Sequence, residues 1–303
     1  MPKKTALIDL NHNEMLNIHE DEFSEFLRLL GSFNLKIRTN ENKNITDKVL
    51  QNIDILIIGN PIDEYFSSIE IKSIIDFVRE GGNLLLISEY GADYLQKTNL
   101  NDLSGKYFGI YFQKNIVKKY NEINQNCDSI LTIQNFKDHI TTIQLRDIIL
   151  GGSCSLLINK NSEPLFYSKE SWTEVYNDLE KKWAKDEDNQ QQILGAYTEY
   201  GRGKVVALGD IDIFSNDPNI GLNLFDNRKF ILNIFNWFTT DPAKDNDVLG
   251  WVLNQLGGLQ NEIKEINNKI SNIIETSTVL EKRISMLEEN PKQEKSEKKI
   301  VSI

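Results

Sequence analysis

Residues 204–217 read KVVALGDIDIFSND, an apolar run that stops abruptly in acids, a serine and an asparagine. Val205, Val206, Ala207 and Leu208 show no polar alternation, which is the pattern of a strand covered on both faces, as in a parallel sheet. Gly209 lets the backbone turn, and Asp210, Asp212, Ser215, Asn216 and Asp217 follow. In open α/β sheets ligands bind beyond the carboxyl ends of the strands. The polar cluster stands where that rule points.

The rest of the first 240 residues repeats the pattern. Residues 5–10 (TALIDL) predict a first strand, followed by the polar loop Asn11, His12, Asn13, Glu14. Phe23, Phe26, Leu27 and Leu30 recur at helical spacing, with Gly31 as a stop signal. Residues 35–37 predict a short second strand, and 53–59 (IDILIIG) a third that ends at Asn60-Pro61. Ser67 or Ser68 caps a helix that buries Ile71, Ile74, Ile75, Phe77 and Val78 and stops at Gly81-Gly82. Residues 83–88 (NLLLIS) make a fourth strand ending in Glu89-Tyr90-Gly91. Strands alternating with helices of this length imply βαβ crossovers and a parallel sheet.

Residues 115–170 hold short β-like runs at 130–133, 155–158 and 164–167, and read as a β-rich insertion. Trp172, Tyr176, Leu179 and Trp183 recur at i, i+4, i+7 and i+11. That spacing predicts a helix, laid either on its own domain or on a partner. Residues 193–200, a turn at Gly201-Arg202-Gly203 and residues 204–208 read as a hairpin. Phe225, Phe230, Ile231, Ile234, Phe235 and Phe238 predict a last core helix, closed by Asp241-Pro242.

After Asp241 the period changes. Leu249, Val252, Leu256, Leu259, Ile263, Ile266, Ile270, Ile273, Ser277, Leu280, Ile284 and Leu287 alternate steps of three and four. This is a heptad seam, and only Ser277 interrupts it. Isoleucine at both a and d in the middle heptads disfavours a parallel dimer and leans toward three or four strands. Arg283 and Glu288 sit where chains could pair. The other reading is one long helix packed on its own domain. Gly257-Gly258 weakens the helix and reads as a hinge. From Pro291 the tail PKQEKSEKKIVSI has the composition of a disordered end. The expected domains are 1–244, a coiled coil at 245–290 and a tail at 291–303.

Composition removes several functions. A net charge of -11 gives no basic field for nucleic acid. Two cysteines, Cys127 and Cys154, make neither a disulfide framework nor a cysteine-rich zinc site, and suit a reducing compartment. No run approaches a membrane span, and the N-terminus lacks a signal-peptide core. The expectation is a soluble cytoplasmic protein. Cys154 lacks a downstream histidine and is followed by a β-like run, so a buried structural cysteine fits better than a nucleophile. Ser88 stands at a strand end, but the leading glycine of a nucleophile elbow is missing. No glycine-rich phosphate loop follows a strand.

A convergence remains. Parallel strands would bring Asp9, His12 and Asn13, then Asn60, then Ser88 and Glu89, then Asp210 and Asp212 to one edge, with Ser215 and Asn216 beyond. Carboxylates and carboxamides in a crevice suit a polyol or a hard cation. The same residue types also cap helix N-termini. Both readings stand.

These strand ends, in order, resemble the GIFT domain, shared by gliding-motility ABC-transporter accessory proteins and an intraflagellar-transport B-complex subunit. The pieces are Asp9-Leu10-Asn11-His12, the run from Gly81-Gly82-Asn83 to Glu89, Asp138-His139-Ile140-Thr141, Tyr200-Gly201-Arg202-Gly203-Lys204 before Gly209-Asp210, Phe214-Ser215-Asn216-Asp217 and the helix end at 235–240 (FNWFTT). The resemblance covers residues 3–242. It implies a flavodoxin-like fold related to class I glutamine amidotransferases without their catalytic Cys-His pair. It also implies a sugar-binding, polar-ligand or protein-interaction role.

The expected protein is thus an α/β, flavodoxin-like doubly wound parallel sheet with a β-rich insertion and a C-terminal coiled-coil helix. The leading function is a non-catalytic adaptor in a transport-type assembly, self-associating or pairing with another protein's coiled coil, with no cofactor and no metal. The alternatives are a carbohydrate-binding module at the strand-end acids, and an amidotransferase-like or Ser/Cys hydrolase.

Overall fold

The structure is a computed structural model. It describes residues 3–33, 35–121, 126–187, 191–240, 263, 266–267, 269–274 and 276–285. The chain divides into two units, Met1–Asp245 and Asn246–Ile303.

In the first unit the apolar runs form strands as expected. The elements in order are β1 (Lys4–Asp9), α1 (Ser24–Ser32), β2 (Leu35–Asn40), α2 (Asp47–Leu50), β3 (Ile55–Gly59), α3 (Ser68–Arg79), β4 (Asn83–Ile87), α4 (Ala92–Gln96) and α5 (Leu100–Leu103). Short strands follow: β5 (Ile110–Phe112), β6 (Asn115–Asn121), β7 (Asn126–Asp128), β8 (Ile130–Ile133), β9 (Asn135–Phe136), β10 (Ile148–Gly151), β11 (Leu156–Ile158), β12 (Glu163–Lys169), β13 (Ser171–Asn177) and β14 (Lys182–Glu187). Then come β15 (Gln191–Tyr200), β16 (Gly203–Leu208) and α6 (Asn227–Thr239).

The main sheet has the order β2-β1-β3-β4-β16-β15-β12-β9. Its first five strands are parallel, in the 2-1-3-4-5 order of a flavodoxin-like sheet. The last three are antiparallel. The expectation of a parallel sheet is therefore corrected to a mixed one. The hairpin β15–β16 reverses direction through a two-residue turn, which no βαβ crossover can do.

Alternation along the strands assigns the faces. Ala6, Ile8, Ile57, Leu85 and Val206 point to a core shared with Phe26, Leu29 and Leu30 of α1 and with Phe230, Ile234 and Phe235 of α6. Leu7, Leu56, Ile58, Leu84, Leu86 and Val205 point to the opposite core, with Ile74, Ile75 and Val78 of α3 and with Leu100 and Leu103 of α5. Helices thus cover both faces, which is why these strands read as unbroken apolar runs. Ser67 caps α3 in a reciprocal box with Glu70, and Gly81 ends it at φ 113°, where a side chain would be strained.

Two further expectations need correction. Trp172, Tyr176 and Trp183 lie on the antiparallel pair β13–β14 and Leu179 in the turn between them, not on a helix. The side chain of Asn177 accepts hydrogen bonds from the Leu179 and Glu180 amides, so the chain reverses there. Leu179 is at the exposed tip. Phe225 precedes α6 and is exposed rather than buried. β13 and β14 join β6 and β7 in a separate four-stranded sheet.

In the second unit, residues 263, 266–267, 269–274 and 276–285 are helical. Leu249, Val252, Leu256, Leu259, Leu287, the Gly257-Gly258 hinge and the tail lie outside the described residues. Among the described residues, no helix is long and apolar enough to cross a membrane.

Candidate functional site

A chain that runs β1 to β2 on one side and on to β3 on the other has its topological switch point between β1 and β3, where such folds bind ligands. Here the segment after β1 occupies that place. The Met15 and Leu16 amides donate to the Asn60 and Gly59 carbonyls, and Glu14 bridges to Pro61. Leu16 is wholly buried. Gly59 is required for this fit, because a Cβ there would lie 2.2 Å from that of Leu16.

Beneath this segment is the first polar cluster. Asp9, at the end of β1, accepts from the Asn40 amide at 2.7 Å and lies 2.5 Å from His12 Nδ1. His12 Nε2 is 3.1 Å from Glu70 Oε1. Glu70 is in turn held by the Ile45 and Ser67 amides and the Ser67 hydroxyl. The Phe66 ring lies over the imidazole, with centroids 4.1 Å apart. Burial pulls the His12 pKa down, but its bond to Asp9 and the charges of Asp9, Glu70 and Glu64 outweigh this and raise it above 6.5. Glu14 is buried against the same group. Burial, then the charge and hydrogen bonding of Asp9, push its carboxyl well above the usual range, and the Gly59 backbone opposes the shift. As a carboxylate, Glu14 has no donor in hydrogen-bond geometry for either oxygen.

The second cluster sits at the ends of β4 and β16. Ser88, Glu89 and Asp210 are all buried. The Glu89 oxygens accept from the Tyr90 and Ile211 amides, and those of Asp210 from the Gly151 and Asp212 amides. Burial and mutual repulsion raise Glu89 well above the ordinary carboxylate range. Asp210 rises to about 7 through burial and the charge of Asp212. Asp212 rises to about 6 through burial and the charges of Glu22 and Asp217. Cys154 is buried among these groups. Burial, then Glu89 and Asp210, push its thiol well above its usual value, although Ser88 opposes the shift. The thiolate that chemistry would need is therefore disfavoured. Both His139 and Cys154 were visible in the sequence, but the fold separates their settings. His139 stacks on Tyr197 and meets Trp237 edge-on, and burial followed by the charge of Lys204 lowers it to about 4.

The remaining candidates hold loops. Asn13, at φ 51°, donates to the Ile62 carbonyl. The Asn60 side chain is buried, with its amide on the Met15 sulfur. Ser215 accepts from the Asp217 amide. Asn216 bridges to the start of α1, donating to the Asp21 carbonyl and the Ser24 hydroxyl and accepting from the Glu25 amide. Strand-end position thus predicts where these residues stand but not which of them form clusters. Glu14 was missed as a candidate, because one acid in a polar loop carries no signal of its burial. The density of acid, amide and imidazole in residues 9–14 was the available clue.

Comparison with known proteins follows the same lines. Residues 5–140 match the family model described as the IFT52 GIFT domain, so the resemblance read from the strand ends holds over that span. Among solved structures, the mmIFT52 N-terminal domain superposes with a TM-score of 0.65 at 18% identity, covering 79% of this chain and 99% of that one. A cytoplasmic protein from Salmonella typhimurium LT2 gives 0.53 at 16% identity, covering 78% and 100%. A second cytoplasmic protein from Salmonella typhimurium gives 0.51 at 12%, covering 77% and 98%. At these identities the structures share the fold. No curated protein matches the chain.

Proposed function

We propose that this GIFT-like chain is a non-catalytic adaptor. Its α/β unit would engage a protein partner, and its C-terminal helix would join copies of the chain through the heptad seam. The observation that carries this is the seam itself. Ile263, Ile266, Ile270, Ile273, Leu280 and Ile284 lie on helix with 48–67% of their surface exposed. That is a large apolar cost for a single chain in water and one that knobs-into-holes packing removes. Joining copies also raises the avidity of a weak contact made by each α/β unit. The strand ends support the non-catalytic half. Burial and the neighbouring Glu89 and Asp210 push the Cys154 thiol well above its usual value, and the switch-point crevice is filled by the chain's own residues 14–16. Assembly into a transport-type complex belongs to the same reading, supported by the likeness to the IFT52 domain.

Placing Ile266→Asp and Ile273→Asp together puts charge into the seam. The full-length variant is expected to run at monomer mass in light scattering while its near-UV spectrum stays that of the parent. An unchanged mass for a parent that is oligomeric would overturn the seam as the contact.

A second reading is carbohydrate binding, favoured by aromatic rings beside the second cluster. Tyr90 adjoins Glu89 and meets Trp183 edge-on at 6.0 Å, and Trp183 meets Tyr176 at 5.6 Å. Rings with nearby carboxylates suit a sugar. Calorimetry against a glycan panel, comparing the parent with Trp183→Ala, tests it. Silence across the panel, or equal heats from the variant, would remove it.

A further inference from the structure

We propose that Asp9, His12 and Glu14 form a buried binding site for one divalent transition-metal ion, of which zinc is the probe. One ligand atom from each residue falls in a group whose members lie within 4.8 Å of one another. The surroundings are those of a metal site's supporting residues. His12 Nε2 faces Glu70, which leaves Nδ1 toward the cluster. A ligating histidine commonly donates its other ring nitrogen to a carboxylate in this manner. Asn40 holds the second oxygen of Asp9, so Oδ2 is fixed in direction.

Independently, neither buried oxygen of Glu14 meets a partner in hydrogen-bond geometry. Two carboxylates packed together away from water need positive charge beside them; His12 Nδ1 serves Asp9, which leaves Glu14 to a proton or a metal. The Glu89–Asp210–Asp212 group makes the contrast, because backbone amides satisfy the oxygens of Glu89 and Asp210.

One imidazole nitrogen with two carboxylates suits zinc or a similar ion better than calcium or magnesium, which prefer all-oxygen shells. The ligand atoms take the ion in their deprotonated forms, so uptake releases to solvent whatever protons they hold. The burial of all three residues makes the ion structural, tying the segment after β1 to the sheet.

The test uses the full chain, stripped with chelator and titrated with zinc by calorimetry in two buffers of different ionisation heat. The expected result is one zinc per chain with proton release and a melting temperature that climbs with zinc concentration. Glu14→Gln should weaken binding at least tenfold. His19→Ala, which removes the exposed His19–Glu41 pair, should leave it unchanged. Should Glu14→Gln fail to fold, the spectrum of the cobalt-loaded parent decides, since nitrogen and oxygen ligation gives d–d bands without a thiolate charge-transfer band. A folded parent that takes up no zinc holds only a shared proton, and that result overturns the proposal. Equal binding by Glu14→Gln, or its loss in His19→Ala, would also overturn it.

Discussion

Asp212 shows how a single half-buried charge sets a stability profile. Its pKa rises from 3.8 to about 6 through burial and the charges of Glu22 and Asp217. An acid raised in the folded state carries no penalty below its unfolded pKa and its full penalty above the folded one. Asp212→Asn should therefore stabilise the protein at pH 8 by on the order of 1 kcal/mol, after allowance for solvent screening. At pH 4 it should change almost nothing. Urea unfolding at the two values checks this, and an equal effect at both would contradict the assignment. Lys204 illustrates the opposite case. Its ammonium reaches the Trp237 and Thr240 carbonyls at the end of α6 and lies 5.1 Å from the Trp237 ring centroid. These carbonyls are among those a helix leaves without internal partners. Lys204→Met keeps the stem and removes the donor, and should cost about 1.5–3 kcal/mol in chemical unfolding. A neutral outcome would mean water replaces it without loss.

Among the elements, the segment after β1 has the most consequence, since it fills the switch point. Leu16→Ala should lower stability by about 3 kcal/mol, a transfer and cavity cost for a fully buried leucine. A loss below 1 kcal/mol in equilibrium unfolding would show the segment to be loosely seated. None of this closure was legible in residues 10–18. Their polar composition reads as a loop, and only the backbone pairing to Gly59 and Asn60 draws Leu16 inward. The strands β1, β3, β4 and β16 were legible because burial on both faces leaves unbroken apolar runs. The hairpin β13–β14 was not. Trp172, Tyr176 and Trp183 fit a 3.6 period by spacing alone, while the decisive residue is Asn177, whose side chain makes the reversal. Aromatic enrichment, which favours strands, was the available signal. Similarly, the antiparallel half of the main sheet follows from the tight turn at Gly201-Arg202, which was legible as a hairpin.

At the scale of the whole molecule, the α/β unit was readable as a pattern, because periodicity survives without knowledge of contacts, and the described residues of the heptad segment are helical. The site was readable only in part. Strand-end position gathers Asp9, His12, Ser88, Glu89, Asp210 and Asp212, but burial and pairing divide them into one closed His-carboxylate cluster and one set of acids beside a protonated thiol. Neither arrangement supplies an activated nucleophile, and Ile263, Ile266, Ile270, Ile273 and Ile284 stand exposed on helix. Self-association is therefore the property on which the adaptor reading turns. The chain is 34.9 kDa. Sedimentation velocity of the full chain over a hundredfold dilution should give one species at a whole multiple of that mass at every concentration. A single monomer-mass boundary throughout the series would contradict the account.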